Sequence, residues 1–210
     1  MAELTVKATS NFGRIEAHSS LYADACAGAN AYTPINLYAG QTVVGITYYL
    51  NHTYLEFDTS ELGSGATITA VEFSAYLYEV LAGSNWTSQL YAYDYGTSLT
   101  SGEWLTPTDF SSLTLLASKL NTTSQYGVWH TLSSESAFAG AINKTGYTRV
   151  VLTSSNIVNE SAPSGAERLR MYLPTDTDKE PKLTITYTEG STATYSGRGI
   201  GRGIGRGIMR

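Results

Sequence analysis

The chain has 210 residues, enough to bury one sizeable hydrophobic core, and a formal net charge of −5 at pH 7. Charged residues make up only 15%, sixteen tyrosines outnumber five phenylalanines, and the overall acidity argues against a nucleic-acid-binding domain. The single cysteine, Cys26, excludes an intrachain disulfide and a thiolate metal cluster, and no stretch is long and apolar enough to span a membrane as a helix.

The opening stretch MAELTVKATSNFGRIEAHSS lacks a basic segment followed by an apolar run, so synthesis in the cytoplasm without a signal peptide is expected. Residues 1–49 are assigned to the N-terminal part of the main domain. The next stretch, TYLEFDTS, alternates with period two and sets Thr53, Leu55 and Phe57 on one face. It stops at Asp58-Thr59-Ser60, whose side chains bond readily to nearby backbone in turns, and LGSGATI supplies the following loop. In ATITAVEFSAYLYEV, Val71, Phe73, Ala75 and Leu77 share one face, while Glu72, Ser74, Tyr76 and Tyr78 share the other. SQLYAYDYG brings Tyr91, Tyr93 and Tyr95 together.

Between Ser101 and Thr123 the alternation loosens, which predicts a long connection containing one strand. SSESAFAGAINKTG predicts the one short helix, with Ser133 or Ser134 as its cap, Phe138 and Ile142 at i,i+4, and Gly146 as its stop. TRVVLTSS predicts a buried strand. ERLRMYLPT alternates Leu169, Met171 and Leu173 with Arg168, Arg170 and Tyr172, and PKLTITYTE sets Leu183, Ile185 and Tyr187 against threonines and a lysine. Many short strands separated by Gly, Ser, Asn and Pro predict an all-β antiparallel sandwich over residues 1–190, followed by an extended C-terminal arm over 191–210.

The order of these pieces, from FDTS and GATI through YLY, INKTGYTRVVLTSS and PSGAERLRMY to EPKLTITYT, resembles the DNRLRE-type modules. These are similar to the family 96 carbohydrate-binding modules and occur, in divergent form, in tailed-phage structural proteins. The resemblance spans roughly Leu50 to Thr188 and implies a jelly-roll β-sandwich in which PKLTITY is the last strand. The Asp-Asn-Arg-Leu-Arg-Glu stretch that gives the modules their name is absent here, so no binding residues carry over.

Enzymatic constellations do not assemble. His18, His52 and His130 are far apart in the chain and read as structural, and no G-x-S-x-G elbow or phosphate loop occurs in the body. Asp94 with Glu103, and Asp176 with Asp178, read as solvated loop acids; catalytic residues, metal and cofactor are all expected to be none. Tyr76, Tyr78, Trp86, Tyr91 and Tyr93 could offer planes for sugar rings to stack on, or could pack against a second sheet or a neighbouring subunit. The sequons at Asn51, Asn85, Asn121, Asn143 and Asn159 follow from the abundance of Ser and Thr.

The chain closes on SGRGIGRGIGRGIMR, a four-residue unit repeated from Gly197 to Ile208. Four residues are two strand periods, so an extended arm places every glycine on one side and Arg198, Ile200, Arg202, Ile204, Arg206 and Ile208 on the other, with Arg210 at the end. A helix is disfavoured, because glycine costs about 1 kcal/mol per position relative to alanine. The four arginines of the arm leave nine basic and eighteen acidic residues in the rest, so a basic arm accompanies an acidic body. The expectation is a non-enzymatic structural protein, a phage virion subunit (capsid decoration, fibre or tail-associated) whose arm mediates assembly. The alternative is a carbohydrate-binding module using surface tyrosines, and the third reading is a subunit of an extracellular filament. Expected partners are copies of itself or other virion or filament subunits, or a glycan under the alternative; nucleic acid and membrane are not expected.

Overall fold

Twelve strands and four short α-helices account for most of residues 1–190, the part of the chain that the computed structural model describes. The repeat and the arm assigned to 191–210 lie outside the described residues. The strands are β1 (Ala2–Lys7), β2 (Gly13–Ser19), β3 (Ala31–Thr33), β4 (Leu37–Val44), β5 (Thr47–Asp58), β6 (Thr67–Ala82), β7 (Trp86–Ala92), β8 (Leu115–Asn121), β9 (Val128–Ser134), β10 (Tyr147–Ser154), β11 (Glu167–Met171) and β12 (Lys182–Thr188). The helices are α1 (Tyr22–Ala27), α2 (Pro107–Phe110), α3 (Phe138–Ala141) and α4 (Ser155–Val158).

All pairings between these strands are antiparallel. The order β6-β11-β4-β5-β10-β7-β8-β9 returns to β6, closing the sheet into an eight-strand barrel. Closure depends on the length of β6. Its C-terminal half pairs with β11 from Leu77 to Ala82, its N-terminal half with β12 from Thr67 to Ser74, and its opposite edge with β9 from Phe73 to Leu77. β12 in turn carries β1, and β5 carries β2 and β3.

Period-two alternation delivers the core as read from the sequence. Val71, Phe73, Ala75 and Leu77 of β6, Leu169 and Met171 of β11, and Leu183 and Ile185 of β12 all enter one apolar cluster with Leu55, Phe57 and Val150. β5 is buried on both faces rather than on the Thr53, Leu55 and Phe57 face alone, since every residue from Leu50 to Phe57 is buried. Tyr54 packs with Ile15, Tyr91, Tyr95, Phe110 and Val151 in a second cluster on the opposite face. The covering layer comes from the connection between β7 and β8, where the sequence loses its alternation. Thr106 and Asp109 form a reciprocal capping box that starts α2, and Trp104, Leu105 and Phe110 are thereby laid over β5 and β10.

Three of the four α-helices were not foreseen. The predicted one shrinks to α3, four residues starting at Phe138, and its expected caps Ser133 and Ser134 belong to β9 instead. The reason is tertiary: those serines continue the β9 ladder opposite Ala117 and Ser118 of β8. The Asp58 turn forms as read, with its carboxylate accepting from the Ser60 amide at 3.1 Å and the Ser60 hydroxyl at 2.6 Å. Arg149 of β10 ties the N-terminal segment in, donating to Glu56 at 2.7 Å and Asp94 at 2.6 Å, while Glu56 also accepts from Thr9 and Asn11.

Candidate binding face

The outer face of β1-β12-β6-β9 carries side chains set in rows by the strand registers. Glu3, Thr186 and Ala70 form one row; Thr5, Thr184 and Glu72 the next; Lys7, Lys182, Ser74 and Thr131 a third. Tyr76 then lies opposite Trp129. Cross-strand partners project to the same side of a sheet, so these residues share one surface. Glu3, Ala70, Glu72, Thr184 and Thr186 of the first two rows, with Thr131 and Ser133 of β9, line a shallow groove of about 630 Å³.

Beyond the groove the face becomes aromatic and basic. Tyr76 meets Trp129 edge-on, with centroids 5.4 Å apart, and meets Tyr172 at 5.5 Å; Tyr78 meets the same Tyr172 at 5.9 Å. Each outlying ring is capped by a cation: Lys182 lies 4.3 Å from the Trp129 centroid, Lys179 4.3 Å from Tyr172 and Arg170 4.4 Å from Tyr78. The series continues to Tyr38, which Arg14, Arg168 and Arg170 approach at 4.8, 5.1 and 5.5 Å. Five of the nine cations of an otherwise acidic body are thus set against rings on this side. Arg170 also donates to Asn36 at 3.1 Å, beside a small hollow of about 230 Å³ between Tyr78, Tyr172 and Asp176.

Of the five aromatic residues singled out from the sequence, Tyr78 is half exposed and Tyr76 partly so, and they stand together. Trp86 does not join them. It is 1% exposed in the main core, and its indole N–H donates to the Leu81 carbonyl at 3.1 Å. Tyr91 is buried against Phe110, and Tyr93 is tucked beside it with its hydroxyl donating to Glu103 at 2.6 Å. Both face the β7–β8 connection, so neither belongs to the platform the sequence suggested. Burial together with the Glu103 carboxylate pushes the Tyr93 phenol well above its ordinary value.

Trp129, Tyr172, Lys179 and Lys182 were missed. The run VWHTLSS does alternate, and that was a usable signal for Trp129. Tyr172 alternates with Met171 and Leu173, which set it on the side of Arg170, whereas Lys179 lies in the β11–β12 connection, where no periodicity marks a face.

The loop acids have structural partners: Asp94 holds Arg149, Glu103 holds Tyr93, and Asp176 accepts from the Leu173 amide at 2.7 Å. The histidines split. His18 is exposed, whereas His52 and His130 are buried. His52 stacks on Trp104 and donates from Nε2 to the Leu105 carbonyl at 3.1 Å, so its Nδ1 accepts from Thr153 at 2.8 Å; burial drives it down to about 3. His130 reaches the interior from β9 with neither ring nitrogen hydrogen-bonded, and burial, with Lys119 nearby, drives it to about 4. Among the described residues, no three His, Cys, Asp or Glu side chains gather as a metal site.

No protein-family model matches the chain, and no curated protein matches its sequence. The residues on the β1-β12-β6-β9 face are of the types that protein interfaces favour: Tyr, Trp and Arg at the centre, with hydroxyls and acids beside them. Its rings meet edge-on rather than lying coplanar, and cations occupy the faces that a flat ligand would need.

Proposed function

We propose that the chain is a non-enzymatic structural subunit that assembles with copies of itself or with other subunits of a virion or extracellular filament. In a phage particle this would be a capsid decoration, fibre or tail-associated role, with residues 191–210 as the assembly arm. The supporting observation is the side of the barrel left bare among the described residues. β5 and β10 are covered on their outer face by α2 and its connection, but the strip from Glu3 to Tyr78 has no covering layer. The ring–cation pairs favour a protein partner, because Arg and Tyr set against each other offer both apolar area and hydrogen-bond donors to an interface. The jelly-roll sandwich belongs to the same proposal; antiparallel pairing throughout and the two-sided burial of β5 support it.

Light scattering on the full chain and on a chain ending at Ser196 tests the reading. The full chain is expected as an oligomer and the shortened one as a monomer. Equal assembly by both would overturn it.

The carbohydrate reading keeps one observation in its favour: Tyr78 and Trp129 are 50% and 40% exposed on neighbouring strands. Glycan-array binding by the full chain, abolished by Tyr78→Ala with Trp129→Ala, would place it first.

A further inference from the structure

The groove on the β1-β12-β6-β9 face has a shape and charge that fit one segment of this same chain. We propose that it receives the Gly-Arg-Gly-Ile repeat, Gly197 to Ile208, of a second copy, with successive arginines on Glu3 and Glu72. The inference rests on the assembly reading and names the receptor for the arm.

Three observations carry it. The first is spacing. Glu3 pairs with Thr186 and Glu72 with Thr184, so the two carboxylates lie two strands apart and two residues offset. Two inter-strand steps of ~4.8 Å and two residues of ~3.4 Å put their Cα atoms about 12 Å apart on the diagonal. Arginines four apart in an extended chain are separated by about 13 Å, which matches that diagonal. The second is what lies between. The midpoint falls on β12 between Thr184 and Thr186, both of which line the groove, and its volume of about 630 Å³ leaves room for the intervening isoleucine. With Arg and Ile turned toward the sheet, only glycine faces outward.

The third is charge. Glu3 and Glu72 are exposed, and neither forms an ion pair with a body cation among the described residues. The cations nearest in the rows are engaged elsewhere: Lys7 bonds Glu180 at 2.9 Å, and Lys182 sits over Trp129. Glu72 accepts only from the Ser74 hydroxyl at 3.3 Å. A basic arm thus finds two carboxylates without a cation partner among the described residues, near its own repeat distance, on a body with twice as many acids as bases. β12 ends at Thr188 beside Thr67 and heads out of the groove, so a segment entering the groove from another copy need not reverse.

The test uses full-length chains and light scattering, with circular dichroism to confirm that each variant is folded. Glu3→Arg with Glu72→Arg should weaken assembly at least tenfold, as should Arg198→Glu with Arg202→Glu and Arg206→Glu. Combining both sets in one chain should restore assembly. Mixing the two singly reversed chains should give a 1:1 pair, because each retains the native half that the other lacks. If the shortened chain fails to assemble while Glu3→Arg with Glu72→Arg assembles normally, the groove is not the receptor, although the arm still mediates assembly. If the shortened chain assembles normally, the assembly reading itself fails. Loss of assembly without rescue in the combined chain, or absence of the mixed pair, overturns docking between copies in this groove.

Discussion

Lys182 of β12 holds its ammonium 4.3 Å from the indole centroid of Trp129, a residue of β9 that lies across β6 from it. No local motif joins residues 53 positions apart in sequence; the contact exists because β6 pairs with β12 on one edge and with β9 on the other. It marks the border between the acid-lined groove and the aromatic part of the same face.

Two of the three tryptophans, Trp86 and Trp129, should behave oppositely. Trp86→Ala is expected to cost about 3–5 kcal/mol in urea unfolding, because it empties a filled core position. Trp129→Ala should cost only about 1 kcal/mol, the order of an exposed cation–π contact with some lost apolar area. Its effect belongs in the oligomeric state or in ligand binding, measured on protein that remains folded.

The buried histidines predict acid sensitivity. Folded His52 titrates at about 3 and His130 at about 4, whereas the unfolded chain binds protons near the ordinary value of 6.5. The unfolded state therefore holds more protons across that interval. Stability is unaffected by these groups above about pH 6.5 and falls as pH drops below it, by up to ~1.4 kcal/mol per pH unit for each histidine. Urea midpoints between pH 7 and 4.5 would show the slope, and His130→Leu should flatten it.

His130→Leu makes a second prediction at neutral pH. Neither ring nitrogen has a hydrogen-bond partner, so an apolar side chain of similar size removes a desolvation cost of ~1–3 kcal/mol. The variant is expected to be at least as stable as the native protein in urea at pH 7.5. The same replacement at His52 should destabilise, because it strands the Thr153 hydroxyl and the Leu105 carbonyl.

Gly40 of β4 should tolerate no side chain. Its φ is +116°, and a Cβ there would run into the Glu167 carbonyl and the Arg168 Cα of β11. Gly40→Ala is expected to cost at least about 2 kcal/mol, with thermal unfolding as the measurement. Glu167 itself is buried without a cation, its carboxylate held by Gln41 at 2.9 Å, Asn156 at 2.8 Å and the Ser84 hydroxyl. Glu167→Ala leaves those donors unpaired and should cost about 3 kcal/mol.

The strands and their inward faces were legible in the sequence because the side-chain period of a strand is two. The sandwich it suggested, however, is a sheet closed into an eight-strand barrel by pairings of β6 with segments far along the chain. Which residues of β6, β11 and β12 face the core follows from Val71, Phe73, Ala75, Leu77, Leu169, Met171, Leu183 and Ile185 alone. The acid–base asymmetry between arm and body, the turn at Asp58 and the absence of a disulfide are equally local or compositional. The pair Tyr76 and Tyr78 was also correctly placed on an outer face.

Whether an outer face stays outside was decided by the tertiary structure. The period that groups Tyr91 with Tyr93 and Tyr95 carries no information on whether a second layer covers them, and the α2 connection does cover them. Trp86 opens β7 at a position that either face could have claimed, and packing took it inside. Trp129, Tyr172, Lys179 and Lys182 share a surface only through strand registers and one loop, which depend on backbone hydrogen bonds between segments far apart in the chain. Alternation assigns a residue to a side of its strand; only pairing and layering decide what lies on that side.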